Sequence, residues 1–163
     1  MSRPIEIFLD VETDWSRDLT VVGFRSSVTG LVQIVGRDIK ARRLVAELPP
    51  HGCLYTYNGH CFDLPVIRKA LGLNLRAQYE SRDLRFICAR HGLNGGQKRI
   101  ERHIGFRRGL PGVDGWEAMD LWEQYQDGDG GALETLLHYN KEDLDGLSVI
   151  KRHLSGRGLL VDH

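Results

Sequence analysis

Residues 8–13 read Phe-Leu-Asp-Val-Glu-Thr, and they close an apolar run that begins at Ile5. A short apolar run bounded by polar residues predicts a buried strand. Successive side chains of a strand point to opposite faces, so Asp10 and Glu12 share one face. Two carboxylates this close repel each other unless a cation lies between them, and Mg²⁺ or Mn²⁺ suits such oxygen ligands. The alternative is a strand that simply ends in a polar turn.

Length and composition predict one globular domain over residues 1–163. The sequence is 41% hydrophobic and 27% charged, a balance that allows a sizeable core. No apolar run approaches the roughly 20 residues of a membrane span, and no signal peptide is visible. Three cysteines, an odd number without zinc-site spacing, favour a reduced cytoplasmic setting.

The net charge is zero, yet the charges separate along the chain. Residues 82–108 hold eight basic and two acidic residues, a net charge of +6. Residues 114–145 hold ten acidic residues and one basic residue, a net charge of −9. A basic segment can bind a phosphate backbone and an acidic one can bind metal. Two solvated helical faces of opposite sign would give the same pattern.

The first part of the chain predicts an antiparallel meander followed by a parallel strand. Apolar runs predict three strands, at residues 5–9, 19–24 and 31–35, and the segment Cys-Leu-Tyr-Thr-Tyr at residues 53–57 predicts a fourth. A helix is expected over residues 38–48, with Asp38 as a possible N-cap. Because this helical crossover precedes the fourth strand, that strand is expected to be parallel to its neighbour.

Residues 58–65, which follow the fourth strand, read Asn-Gly-His-Cys-Phe-Asp-Leu-Pro. Asp63 lies at the start of a predicted helix, with Pro65 in the first turn and Gly72 at the end. A carboxylate at this position either caps the helix or carries a function, and the position alone leaves both open.

The second part of the chain predicts helices. In a short helix around residues 97–104, Ile100 and Ile104 point inward, and three basic side chains point outward: Lys98, Arg99 and Arg102. Another helix is expected over residues 116–125. The last helix, about residues 132–154, places Tyr139 and Asp143 on one face at the edge of an apolar stripe. A buried aspartate there needs a partner or a metal, whereas an interfacial one is capped by solvent.

Three motifs in order resemble the DEDD 3′→5′ exonucleases of the ribonuclease H-like superfamily. They are Asp10-x-Glu12, Asn58-Gly-x-x-Phe62-Asp63 and Tyr139-Asn140-x-x-Asp143. The stretch Gly95-Gly96-Gln97-Lys98-x-Ile100-Glu101 looks like a predicted bacterial branch of that family. The resemblance covers roughly residues 5–152 and implies an α/β fold with a mixed five-stranded sheet flanked by helices.

The resemblance also implies a site for two divalent ions, Mg²⁺ or Mn²⁺, held by four carboxylates: Asp10, Glu12, Asp63 and Asp143. Two ions about 4 Å apart can contact both oxygens of an in-line phosphodiester displacement. Asp10 would bridge them. Glu12 and Asp143 would hold the ion that carries the attacking water, and Asp63 would hold the other through bound water.

The third motif distinguishes two branches of the family, one with a histidine five residues before the last aspartate and one with a tyrosine four before it. This sequence has both, His138 and Tyr139. On a continuous helix Tyr139 shares a face with Asp143 and His138 points away, which favours Tyr139 as the residue that orients water. If the chain is not helical there, His138 becomes the candidate general base.

Further residues match positions near the terminal nucleotide in the family, namely Thr13 and Asn58. Phe62 is a candidate for stacking on a base, although a core role is also expected. Many members continue the first motif with Thr-Gly, whereas this chain has Asp14-Trp15. Trp15 is either a base-stacking residue or a packing residue, and packing is favoured. The basic candidates for phosphate binding are Lys98, Arg99 and Arg102.

The function expected from these motifs is metal-dependent 3′→5′ exonuclease activity on single-stranded DNA or RNA. One alternative is an RNase H-like endonuclease. Another is a catalytically silent nucleic-acid-binding domain, although such domains usually lose one or more of the carboxylates that are all present here.

Overall fold

The computed structural model describes residues 2–110 and 112–160. Its centre is a five-stranded sheet with the strand order β3-β2-β1-β4-β5. The strands are β1 (Glu6–Thr13), β2 (Leu19–Ser26), β3 (Gly30–Val35), β4 (Cys53–Thr56) and β5 (Glu80–Asp83). β1, β2 and β3 form an antiparallel meander, and β4 and β5 extend the sheet in parallel from β1. The predicted mixed sheet, the meander and the parallel fourth strand are therefore confirmed.

Helices cover both faces of this sheet. After a short 3-10 helix at Gly36–Asp38 come α1 (Ala41–Glu47), α2 (Asp63–Leu71), α3 (Leu75–Gln78), α4 (Leu84–Arg90), α5 (Gln97–His103), α6 (Gly115–Gln126) and α7 (Gly130–Gly156). The helix start at Asp63 is confirmed, and Gly72 ends α2 in the left-handed conformation as expected. Within the described residues, no helix combines the length and hydropathy needed to cross a bilayer.

The prediction for α1 was wrong at its start. Asp38 belongs to the 3-10 helix, and α1 begins at Ala41 without a side-chain cap. The fifth strand had no signal in the sequence, because Glu-Ser-Arg-Asp is a polar sequence of low strand propensity. It forms at the edge of the sheet by pairing with β4, so its pairing partner determines its conformation.

The alternation along β1 separates the core into two layers. Ile7, Leu9 and Val11 pack in an apolar cluster with residues of α1 and α2. Phe8 lies on the other face, in a cluster with residues of α4, α5 and α7. Because the period is two, Asp10 and Glu12 lie on the same face as Phe8, toward α7, which packs against β1 and β2. The long helix thus faces the two carboxylates of the first strand.

Candidate metal centre

Three of the predicted carboxylates meet between β1 and α7. Asp10, Glu12 and Asp143 each contribute one carboxylate oxygen, and these three oxygens lie within 4.8 Å of one another. β1 supplies the first two through its alternation, and α7 supplies the third from the face that covers the sheet. The residues come from positions 10 and 143 of the chain, so the cluster exists only in the folded protein.

The donor set fits a hard divalent cation. Glu12 is only 8% exposed, and its Oε1 atom is buried without a hydrogen-bond partner among the described residues. A buried, unpaired carboxylate oxygen is costly unless a cation or a proton satisfies it. Carboxylate oxygens are the ligands that Mg²⁺ and Mn²⁺ prefer.

Burial and mutual repulsion make the cluster poor at holding its charges alone. Burial, followed by the charges of Asp143 and Glu12, raises the pKa of Asp10 well above its usual range. Burial and the charge of Asp143 likewise raise the pKa of Glu12. Burial also raises the pKa of Asp143, although Arg108 opposes this shift. Such a cluster gains stability when a cation binds between its members.

Asp63 lies beside these three residues but outside the group whose oxygens converge. Its Oδ2 atom accepts a hydrogen bond from the amide of Val11 at 3.0 Å. Burial raises the pKa of Asp63 to about 7, against the effect of this amide hydrogen bond. The first turn of α2 therefore brings the fourth carboxylate next to β1, and its role as a metal ligand remains a prediction.

Asn140 supports the carboxylate cluster in a way that the sequence pattern did not predict. It is fully buried, and its Nδ2 atom donates to the Oδ2 of Asp10 at 3.0 Å and to the Asp10 carbonyl at 3.3 Å. Gly23, which pairs with Asp10 on the neighbouring strand, leaves room for it. A Cβ at Gly23 would lie 2.0 Å from the Oδ1 of Asn140. Its place in the third motif, beside Tyr139, was the available signal.

Arg108 is a second residue that the sequence left unassigned. Its side chain is 5% exposed, and Nη2 lies 2.6 Å from both Glu101 Oε1 and Asp143 Oδ1. Glu101 is itself buried and contacts α7 at Gly146, where a Cβ would lie 1.9 Å from Glu101 Oε1. The basic segment thus places one buried guanidinium beside Asp143, in addition to its exposed charges.

Tyr139 and His138 differ in the way that a continuous helix predicts. Helix α7 runs without a break from Gly130 to Gly156. Tyr139 is 6% exposed and faces the cleft that contains Asp143. The side chain of His138 is 51% exposed, and its Nε2 lies 3.4 Å from Glu142. His138 was the candidate only if the chain was not helical before Asp143. Because the chain is helical there, Tyr139 stays the candidate.

The three basic candidates do not share one environment. Arg99 and Arg102 are exposed, as expected. Lys98 does not point outward: it is half-buried, its Nζ lies 4.9 Å from the centre of the Tyr139 ring, and it donates to the carbonyl of Val113. The helical pattern alone could not predict this, because the loop before α6 and the ring of Tyr139 cover that face of α5.

The remaining predicted residues surround the site in different ways. Thr13 is buried at an irregularity in the β1–β2 pairing. Asn58 has a positive φ of 62°, and its Oδ1 accepts a hydrogen bond from Arg85 at 2.9 Å. Phe62 packs, half-buried, against the core on the α2 side of the sheet. Packing was favoured for Trp15, which is 45% exposed and contacts the ring of Trp116 outside the core, so the choice between packing and base stacking stays open.

Comparisons with known proteins match this fold. The RNase_H_2 family model, described as RNase_H superfamily, matches residues 7–155. Among solved structures, the family B DNA polymerase from the hyperthermophilic archaeon Pyrobaculum calidifontis aligns over 94% of this chain, with a TM-score of 0.72 and 17% identity. The alignment covers 25% of the polymerase chain, so this chain spans a minor part of that protein's length. No curated protein sequence matches significantly.

The raised pKa values predict how pH affects the metal-free protein. Between the usual carboxylate pKa of about 4 and the value of about 7 for Asp63, the folded state binds more protons than the unfolded chain. The contribution of this carboxyl group to the free energy of unfolding is therefore fully present below the lower pKa. It is lost as the pH rises through the upper pKa. We expect the melting temperature of the metal-free protein to fall from about pH 5 to about pH 8, and Mn²⁺ to restore it mainly at the higher pH.

Differential scanning calorimetry in chelator and in Mn²⁺ measures this effect. Asp10→Asn removes one of the repelling charges, so it should flatten both the pH dependence and the response to Mn²⁺. A metal-free protein that becomes more stable over the same pH interval would contradict the assignment of raised pKa values.

Proposed function

The chain belongs to the RNase_H superfamily, and from this premise we propose that it is a 3′→5′ exonuclease of the DEDD type. Its substrate would be single-stranded DNA or RNA with a free 3′ end, and the third motif would be of the tyrosine kind. One observation carries the proposal. The carboxylates of half-buried Asp10 and of buried Glu12 and Asp143 converge within 4.8 Å beside a buried tyrosine.

In this proposal the carboxylates hold two divalent ions, Mg²⁺ or Mn²⁺. Bound ions of this kind activate water and neutralise the charge that develops on the phosphate and the leaving oxygen. Asp10 would be a ligand of both ions. Glu12 and Asp143 would be ligands of one ion, and Asp63 would lie beside the other. Asn140 fixes the orientation of Asp10 through its hydrogen bond, which is the support that metal ligands usually need.

Tyr139 would orient the attacking water. Burial, followed by the charges of Asp143 and Glu12, raises the pKa of Tyr139 above its usual value. The hydroxyl therefore keeps its proton at neutral pH and can donate a hydrogen bond, but it is not a general base. Lys98 and Arg108, whose charged groups lie 4.9 and 5.7 Å from the ring centre, hold the ring in place.

The chain's surface and its structural neighbour support a nucleic-acid substrate. Arg99 lines the cleft that contains Tyr139 and Asp143, and exposed arginines neutralise phosphates. The aligned solved structure is a DNA polymerase, a protein that handles nucleic acid. We further propose that residues 1–163 act as one domain in a cytoplasmic setting, consistent with three cysteines that remain free thiols.

Labelled oligonucleotides test the activity and its direction. We expect a 5′-labelled single strand in Mn²⁺ to give a ladder of shortening products, and chelator to stop the reaction. If the first labelled product were the mononucleotide from the 5′ end, the proposed direction would be contradicted. Cleavage of a circular single strand, which has no end, would contradict an exonuclease and indicate an endonuclease.

Removing the Tyr139 hydroxyl should slow hydrolysis without unfolding the protein. We expect Tyr139→Phe to lower kcat by at least about tenfold, because the water loses its orienting hydrogen bond while the ring contacts persist. His138→Ala is the control from the adjacent position and should leave kcat nearly unchanged, since that ring is exposed. Single-turnover rates measure both, and the reverse ranking would assign the role to His138.

A further inference from the structure

Two exposed tryptophans form an aromatic surface that the proposed catalytic residues do not use. The ring centres of Trp15 and Trp116 lie 5.3 Å apart, and the two residues are 45% and 66% exposed. They lie outside the three apolar clusters that form the core. The third tryptophan, Trp122, is 8% exposed and packs inside one of these clusters. The exposed pair therefore leaves two large ring faces in water.

Side-chain caps order the two backbone segments that carry the rings. Trp15 lies in the turn after β1, where the Oδ1 of Asp14 accepts hydrogen bonds from the amides of Ser16 and Asp18 at 2.8 and 2.9 Å. Trp116 lies in the first turn of α6, where Asp114 caps the helix by accepting from the amide of Glu117 at 2.9 Å. Because the backbone that carries the two rings is already ordered, less entropy is lost when a planar ligand stacks on them.

The segments that carry the two tryptophans border the candidate metal centre. Trp15 follows Glu12 by three residues. Asp114 and Gly115, which precede Trp116, line a cleft of about 330 Å³ together with Tyr139 and Asp143. Trp116 therefore directly follows a residue that lines this cleft, and its ring contacts the ring of Trp15.

The chemistry of this surface selects its ligand. Nucleobases stack on exposed aromatic rings without sequence preference, and basic side chains nearby hold the phosphates between them. Arg99 is exposed on the same cleft, and Arg17 is exposed in the Trp15 turn.

We propose that Trp15 and Trp116 form a stacking platform for a base of the single-stranded substrate, next to the nucleotide that is removed. The platform rests on the proposed nuclease function, and it adds a determinant of substrate form. A double helix keeps its bases stacked on one another, so the platform favours single strands over duplexes.

The double variant Trp15→Leu/Trp116→Leu tests the platform, because leucine keeps an apolar side chain and removes the ring. We expect KM for a single-stranded oligothymidylate to rise about tenfold or more, with kcat within about twofold of wild type. Hydrolysis of bis(p-nitrophenyl) phosphate, which has no base, should be unchanged. Phe86→Leu removes an exposed aromatic ring on α4 and serves as the matched control with unchanged KM.

Tryptophan fluorescence in chelator gives a readout that does not depend on catalysis. Oligothymidylate should quench the wild-type emission in a saturable way, and the quench should be absent in the double variant, in which Trp122 still emits. An unchanged KM, or a quench that persists in the double variant, overturns the platform. Sedimentation tests whether the pair instead forms a dimer interface. A wild-type dimer that is lost in the double variant also overturns the platform. If wild type hydrolyses neither substrate but the quench occurs, the nuclease function fails while the stacking surface stands.

Discussion

Replacing Asp10 with Asn is expected to lower kcat by a factor of about 10³ or more, the scale of removing a group that stabilises only the transition state. Asp10 converges with Glu12 and Asp143 within 4.8 Å, and an amide supplies neither its charge nor a second anionic oxygen. The Asn140 Nδ2 contact can persist, because the amide oxygen of the variant still accepts a hydrogen bond. The loss should therefore come from metal binding and not from a rearranged site.

The same substitution should raise the stability of the metal-free protein. Burial and neighbouring carboxylates raise the pKa of Asp10 in the wild type, so the neutral side chain relieves repulsion. Activity and stability are thus expected to change in opposite directions, as they often do at functional sites.

Oligonucleotide hydrolysis in Mn²⁺ and thermal melting in chelator measure the two effects. Asp38→Asn is the matched control, since that carboxylate is 74% exposed and forms a long ion pair with Arg43 at 3.5 Å. Full activity of Asp10→Asn in Mn²⁺ would remove Asp10 from the metal site and the proposed mechanism with it.

Replacing Arg108 with Met is expected to destabilise the protein by about 3–5 kcal/mol, the usual cost of leaving a buried charge without its partner. Arg108 makes a two-pronged contact with Glu101, through Nε at 2.7 Å and Nη2 at 2.6 Å. The Glu101 side chain is 2% exposed, so water cannot replace the guanidinium. Burial alone would lower the pKa of Arg108, but its hydrogen bonds to Glu101 and the charge of Asp143 raise it, so the residue stays charged.

Urea unfolding measures this difference. Arg107→Met is the control, because Arg107 is adjacent and exposed, and it should change stability by well under about 1 kcal/mol. Adding Glu101→Gln to Arg108→Met should recover part of the loss by removing the orphaned charge. Because Arg108→Met also frees Asp143, Mn²⁺ should stabilise this variant more than the wild type. An Arg108→Met protein as stable as the control would show that Glu101 finds another partner.

Local periodicity made much of the site predictable from the sequence. A strand repeats every two residues and a helix nearly every four, so the spacing within Asp10-Val11-Glu12 and between Tyr139 and Asp143 determined which side chains share a face. Turn and cap chemistry placed Asp63 at a helix start and Gly72 at its end. These predictions succeeded because each depends only on residues within one element.

The contacts that complete the site depend instead on how elements pack. Asn140 reaches Asp10 only because Gly23 leaves room for it on the neighbouring strand. Arg108 reads in the sequence as one of several basic residues, yet the packing of α5 against α7 buries it against Glu101 and Asp143. The packing around Tyr139 likewise turns Lys98 inward.

The sequence by itself determined the sheet type, the carboxylates of β1 and the face of the last helix that carries Tyr139 and Asp143. The tertiary structure decided which buried charges pair, which asparagine orients Asp10, and that Trp15 meets Trp116 in solvent instead of in the core. The reason is the range of the interactions. Periodicity acts over a few residues, whereas each of these contacts joins residues of separate elements, whose distance is determined only when the helices pack on the sheet.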